Sequence, residues 1–307
     1  MKIVIMGAGG IGGYYGGMLA RSGHEVTLIA RGDHLAAIQK KGLIVKSTDG
    51  DFTVRVKATD NLNDVGAAEF VLFSVKSYDV EEAGRLLDSV ISSETVVLTI
   101  QNGIDSHEVL AKILGKRPVL AGACYIFSRI ASPGVIEHVG GRKTIVFGEL
   151  DGSTTVRSER IFKIMTESGI PCEISPDITR ALWQKFIWIC GSAGVGTLTR
   201  LPLGESLATV EGKALLRGIM EEVESIARAL HIAVDQEIVD KTAKFAEGLE
   251  KELVTSLVLD LIRKRRLESD ALHGKVVKLG LELGIPTPLN FAVYASLKLH
   301  DLKAMKR

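Results

Sequence analysis

The sequence predicts an α/β chain: a Rossmann-type doubly wound, mostly parallel sheet followed by a C-terminal all-helical domain. Three observations carry that prediction. Short β-branched runs alternate with helical stretches through the first half of the chain. A glycine-rich turn follows the first of those runs. Beyond Ser175-Pro176 the periodicity is almost entirely helical. The division this implies is residues 1–174 for the sheet domain and 175–307 for the helical one.

The first thirty-one residues set the pattern. Residues 2–6 form a short apolar run, readable as a buried parallel strand. It ends in Gly7-Ala8-Gly9-Gly10-Ile11-Gly12, which fits G-x-G-x-x-G. A helical stretch runs on to Arg21, Gly23 stops it, and residues 25–29 read as the second strand. In such a βαβ unit each glycine answers a physical need. Gly7 makes a tight turn, Gly9 lets the backbone approach a pyrophosphate closely, and Gly12 lets the helix pack on the strand. The helix start then offers N–H groups and partial positive charge to phosphate. With a strand before the motif and another after it, a dinucleotide cofactor is expected. The second strand ends in Ile29-Ala30-Arg31. An arginine there suits a 2′-phosphate dianion and is a poor partner for a ribose hydroxyl, so NADP is favoured, with Asp33 close by as a rival for NAD.

The remaining elements follow in order. Residues 33–41 read as a short helix. Residues 42–46 and 52–56 flank Thr48-Asp49-Gly50-Asp51, a hairpin signal. A buried strand at 70–75 leads to Lys76, a helix at 80–90 follows, and a strand at 95–100 ends at Gln101-Asn102-Gly103. Another helix reaches Leu114, a strand opens at 119–121, and alternation over 134–148 suggests antiparallel strands closing the sheet edge. Helices are expected at 177–190, 204–230, 235–262, 269–284 and 289–302.

Composition narrows the function. A length of 307 residues suffices for two domains, and a net charge of +1 argues against nucleic-acid or membrane-surface partners. Cys124, Cys172 and Cys190 lack disulfide or metal spacing, which points to a reducing cytoplasm. No apolar stretch approaches a membrane span, and no metal-ligand cluster is visible. His107 and His138 are isolated and read as structural. The run Arg263-Lys264-Arg265-Arg266 reads as a solvated turn.

Ligands of open α/β sheets bind beyond the carboxyl ends of the strands, where Ser74-Val75-Lys76 and Gln101-Asn102-Gly103 are delivered. In the helical half, Ala181-Leu182-Trp183-Gln184-Lys185-Phe186-Ile187-Trp188-Ile189 sets one lysine in an apolar helix. A charge is seldom buried without purpose, and a desolvated ammonium is suited to proton donation.

Taken together, Gly7-Ala8-Gly9-Gly10-Ile11-Gly12, Arg31, Ser74-Val75-Lys76, Gln101-Asn102-Gly103, Trp183-x-Lys185, Ser256-x-x-x-Asp260 and Glu268-x-Asp270-x-x-x-Gly274 resemble the ketopantoate reductase (2-dehydropantoate 2-reductase) family. The resemblance implies a Rossmann domain followed by a helical domain, and reduction of a small-molecule 2-oxo acid with NADPH on the route to pantothenate. It implies catalytic roles for Lys185, Asn102 and Glu268, with Lys185 protonating the carbonyl oxygen. Gly7 to Gly12, Arg31, Lys76, Asn102 and Glu268 would hold the cofactor. Asn102, Lys185, Ser256 and the wall at Ile189 and Ala193 would face the substrate. Hydride arriving at a carbonyl carbon builds negative charge on oxygen, which a nearby ammonium both stabilises and protonates.

Two consequences follow. Ser256 and Glu268 are twelve residues apart, about 18 Å along a straight helix. They can share a small substrate only if the helix breaks within 263–267. The family also carries asparagines where this chain has Ile189, Ala193 and Leu203. Each lost hydrogen-bond partner costs about 1–3 kcal/mol against a hydroxylated substrate. Ser192 and Thr197 are candidate replacements. A same-fold reductase of a less polar 2-oxo acid, a non-catalytic NADP-sensing protein and a 3-hydroxyacid dehydrogenase stay open as alternatives. The apolar helical half is compatible with a homodimer.

Overall fold

The computed structural model describes residues 1–306, so Arg307, the last residue of the expected helical half, lies outside the described residues. By contacts the chain divides into two units: residues 1–101 with 105–178, and residues 102–104 with 179–307. The division therefore falls inside a helix, after Ile178, and not in the preceding loop. Asn102–Ile104, which follow a sheet strand, group with the helical unit.

In the first unit, β1 (Lys2–Met6), α1 (Gly10–Arg21) and β2 (Glu25–Ile29) form the expected βαβ unit, with β1 and β2 paired in parallel from Lys2↔Glu25 to Met6↔Ile29. α2 (Gly32–Lys41), β3 (Leu43–Ser47), β4 (Phe52–Val54), β5 (Lys57–Thr59) and β6 (Phe70–Phe73) follow. Next come α3 (Val80–Leu86), β7 (Val96–Thr99), α4 (Ser106–Leu114), β8 (Val119–Ser132), β9 (Val135–Gly148), α5 (Val156–Glu167) and β10 (Cys172–Ile174). The strand order is β4-β3-β9-β8-β7-β6-β1-β2-β5, with β10 beside β9. Its part β5-β2-β1-β6-β7-β8 is the doubly wound order, with the direction of winding reversing between β1 and β6.

Two features depart from expectation. The β3–β4 hairpin forms antiparallel as read, but β3 also pairs in parallel with β9. The segment 134–148 is consequently one long interior strand and does not close the edge. The edges are β4, β5 and, beside β9, β10, each three residues long, which limits their exposed backbone.

Strand alternation divides the core of this unit in two. Ile3, Ile5, Phe70, Leu72 and Leu98 face α1, α2 and α5, while Val4, Met6, Val71, Phe73 and Val97 face α3 and α4. A parallel strand covered on both faces must be apolar at every position, and β6 (FVLF) is fully buried throughout.

The second unit is helical: α6 (Ile178–Thr199), α7 (Leu203–Ser206), α8 (Val210–Ala229), α9 (Ile238–Glu247), α10 (Ser256–Ile262), α11 (Lys275–Leu283) and α12 (Pro288–Met305), with a single π turn at Asp270–Gly274 before α11. α6 runs past the expected end at 190 because its glycines are packing surfaces. A Cβ on Gly191 would meet Met220, one on Gly194 would meet Ile219, and one on Gly196 would meet Val258, all at 2.8 Å or less. The expected helix 235–262 is two helices. Between them the carbonyls of Lys251 and Leu253 accept the N–H groups of Gly204 and Leu203, a pairing that a continuous helix would forbid.

Candidate functional site

The glycine-rich turn of the first unit has the geometry a dinucleotide phosphate needs. Gly7 adopts φ +96°, and a Cβ there would lie 2.9 Å from the backbone N of Val75. At Gly12 a Cβ would overlap the Gly7 carbonyl oxygen and the Ser74 hydroxyl, so α1 rests directly on the turn. A Cβ on Gly9 would meet nothing within 4 Å, which leaves open space over the backbone there. No side chain caps α1 at Gly9, so its first-turn N–H groups are presented to that space. These residues fit a pyrophosphate. Ala8 donates its N–H to the Ile29 carbonyl (2.9 Å), and Gly10 sits against the Ser128 backbone, where a Cβ would lie 2.5 Å from the carbonyl oxygen.

Two residues hold this turn in roles that sequence reasoning did not assign. The Ser74 hydroxyl donates to the Gly7 carbonyl oxygen at 2.9 Å. Ser74 thus braces the glycine loop from the end of β6. The His34 ring bridges the loop and the β8–β9 turn: Nδ1 accepts the Gly134 N–H at 3.0 Å, so Nε2 carries the proton and donates to the Ala8 carbonyl at 2.9 Å. Burial holds the His34 pKa below its usual value, which keeps the ring in the neutral form this bridge requires. Nothing local in the sequence distinguishes this histidine, since both partners are remote in the chain.

Arg31 precedes α2 in extended conformation and is exposed, its guanidinium 3.9 Å from Glu82. An exposed pair of that length holds it weakly and leaves it able to engage a phosphate. Asp33 lies in the first turn of α2, where a carboxylate is favoured by the helix dipole without any ligand. Ile11 lies in the first turn of α1, and Lys76 is half-buried just before a short 3₁₀ turn at Ser77–Asp79. At the end of β7, Gln101 accepts the Thr99 hydroxyl, and its own amide nitrogen is buried with no acceptor among the described residues.

Asn102, Lys185, Ser256, Asp260 and Glu268 all belong to the second unit. Lys185 is 8% exposed, between Leu182, Trp183, Phe186 and Ile187, all buried. At about 100° per residue, Ile189, Ser192, Ala193 and Gly196 all lie within roughly 80° of Lys185 around α6. α10 packs on this same face, because Val258 occupies the space beside Gly196. On α10, Ser256 is exposed at the start and Asp260 is buried near the end, the two lying about 40° apart around the helix.

The break expected between Ser256 and Glu268 is present. α10 ends at Ile262, Arg263 caps it, Lys264 takes a left-handed φ of 55°, and Arg265 returns its N–H to the Asp260 carbonyl. Glu268 then sits buried ahead of the π turn, its carbonyl accepting the Leu272 N–H at 3.2 Å. The basic run is thus the C-terminal turn of a helix, where cations are favoured.

Ala193 and Leu203 are buried and Ile189 is half-buried. The hydroxyls of Ser192 and Thr197 donate to their own helix, to Trp188 at 2.9 Å and Ala193 at 2.8 Å. His138 is bonded to Ser47 and Gly140, and His107 is buried in α4. Among the described residues no helix is long and apolar enough to cross a membrane, and no group of three or more His, Cys, Asp or Glu could hold a metal ion.

Comparison with known proteins bears on the whole chain. Residues 3–152 match the family described as ketopantoate reductase PanE/ApbA, and residues 177–301 match its C-terminal region. A PanE/ApbA family ketopantoate reductase from Ralstonia eutropha JMP134 superposes with a TM-score of 0.92 at 35% identity, covering 99% of this chain and 100% of that one. A 2-dehydropantoate 2-reductase from Geobacter metallireducens GS-15 gives 0.91 at 31% identity, covering 97% and 99%. The uncharacterized oxidoreductase YkpB of Bacillus subtilis is 28% identical over 303 residues, 98% of this chain and 99% of its own. With a glycine cradle built for a dinucleotide and matches along nearly its full length, the chain belongs to the ketopantoate reductase (PanE/ApbA) family of NAD(P)-dependent oxidoreductases acting on CH–OH groups.

Proposed function

We propose that this protein reduces a 2-oxo acid to the 2-hydroxy acid with NADPH, and that 2-dehydropantoate, the substrate its relatives are named for, is the first candidate. The observation that carries the reading is Lys185: an ammonium buried on an apolar helix, in one unit with Asn102 and Glu268. Bound NADPH would supply the hydride to the carbonyl carbon. Lys185 donates a proton to the carbonyl oxygen as charge develops there, which stabilises the transition state more than the ground state. Asn102 orients substrate and cofactor, Ser256 binds on the carboxylate side, and Glu268 fixes a hydroxyl of substrate or ribose. Gly7, Ala8, Gly9, Gly10, Ile11 and Gly12 hold the pyrophosphate, Arg31 the 2′-phosphate, and Lys76 lies along the cofactor. The place in metabolism would be pantothenate biosynthesis in the cytoplasm, and a homodimer would suit the helical unit.

Ile189 and Ala193 favour a second reading, a 2-oxo acid with a less polar side chain. An apolar wall gains nothing from a substrate hydroxyl and leaves it unpaired. NADPH oxidation measured across a panel of 2-oxo acids tests both. Turnover with 2-dehydropantoate above all other members supports the first reading, and a preference for branched apolar acids supports the second. Tight NADPH binding with no turnover of any 2-oxo acid would overturn both in favour of a cofactor sensor.

A further inference from the structure

We propose that Asp301, near the C-terminal end of α12, is a positioning residue for Glu268. The inference rests on the role proposed for Glu268 and adds the device that holds it. Asp301 is 3% exposed, and its Oδ1 accepts the N–H of Leu267 at 2.8 Å, in the residue directly before Glu268. Two residues after Glu268, the Asp270 carboxylate accepts Tyr294 Oη at 2.7 Å and Lys298 Nζ at 2.7 Å. Three residues further on, His273 Nδ1 donates to Asn290 Oδ1 at 2.8 Å.

The four α12 residues are Asn290, Tyr294, Lys298 and Asp301. At about 100° per residue they fall within an arc of roughly 80°, so one polar stripe of one helix grips the segment at three points. α12 is itself fixed at its start, where Glu222 accepts the N–H groups of Leu289 (2.8 Å) and Asn290 (2.9 Å) and the Asn290 amide (2.7 Å).

The segment needs such a grip. It contains a π turn, whose backbone pairing is less regular than an α-helix, and it follows a left-handed Lys264. A buried carboxylate answering one backbone N–H among the described residues is a costly way to end a loop unless that loop must be held in place. Glu268 lies between the Leu267 and Asp270 anchors. The stripe therefore fixes the chain on both sides of Glu268.

The test is a double-mutant cycle on the full-length protein, reading kcat/KM for the preferred 2-oxo acid with NADPH. Misplacing a reacting group by 1 Å costs up to about 10²-fold, so Asp301→Ala should lower kcat/KM by about tenfold. Asp301→Asn, which keeps the acceptor for Leu267 N–H, should stay within about twofold of wild type. In the Glu268→Ala background, Asp301→Ala should cost no more than about twofold further, because its effect runs through Glu268. Lys298→Met, a change on the protein surface, should lower kcat/KM a few-fold, again only while Glu268 is present. A purely structural Asp301 would instead cost the same in both backgrounds, and that result overturns the inference. So would equal damage from Asn and Ala, or an insoluble Asp301→Ala beside an unaffected Lys298→Met. Wild-type activity in Glu268→Ala alone would remove the role of Glu268, and this inference with it, before any α12 variant is made.

Discussion

His273 provides an acid limit on stability that can be worked from its surroundings. The imidazole is fully buried, with Nδ1–H given to Asn290 and Nε2 beside Gly194, where no donor or acceptor among the described residues meets it. Burial disfavours the imidazolium and lowers the pKa from 6.5 to about 4. The unfolded chain accepts a proton below about pH 6.5 that the folded chain refuses until about pH 4. Stability therefore falls as pH drops through that window and levels off beneath it. At about 1.4 kcal/mol per pH unit the loss totals roughly 3 kcal/mol, and about 2.5 kcal/mol of it has gone by pH ~4.5. His273→Asn retains an N–H for Asn290 and cannot titrate. Urea unfolding of both proteins between about pH 7.5 and pH 4.5 should show the variant less stable at the upper end, with the gap closing by roughly 2.5 kcal/mol at the lower. Parallel curves would mean that His273 takes its proton in the folded state, and the burial argument would fail.

Three further outcomes follow from the site. Gly12→Ala sets a methyl against the Gly7 carbonyl and Ser74, with Ile5 at 3.0 Å. Overpacking of about 1–3 kcal/mol should weaken NADPH binding about tenfold or more by equilibrium titration, and wild-type affinity would contradict the packing. Arg31→Ala should raise the KM for NADPH about tenfold while leaving that for NADH nearly unchanged, whereas equal effects would show that Arg31 does not read the 2′-phosphate. Ile189→Asn adds an amide to the lysine face of α6 and should shift the kcat/KM ratio toward hydroxylated 2-oxo acids by about tenfold, roughly 1.4 kcal/mol. An unchanged ratio would remove Ile189 from the substrate wall.

Much of the first unit was legible because its physics is local. Strands buried on both faces are uniformly apolar, and glycines that must accept a neighbour's backbone cannot be anything else, as at Gly7 and Gly12. The break after Ile262 was legible for a different reason, because two groups meant for one small ligand cannot sit a dozen helical residues apart. What stayed hidden depends on partners remote in sequence. β3 crosses to β9, a pairing no local pattern encodes. The loop between α9 and α10 kept a helical rhythm, yet Gly248 and Thr255-Ser256 were available as stop and start signals. His34 and Asp301 look ordinary in sequence, and Ser74 stands out only as part of Ser74-Val75-Lys76, since each acts on a backbone group in another part of the chain.

The reading of the active site is tested most directly by single-turnover hydride transfer in Lys185→Ala, with NADPH affinity measured on the same preparation. Loss of the proton donor should slow the chemical step about 10²–10⁴-fold with cofactor binding changed no more than a few-fold. An undiminished transfer rate would show that another group protonates the oxygen and that the buried lysine serves the fold alone.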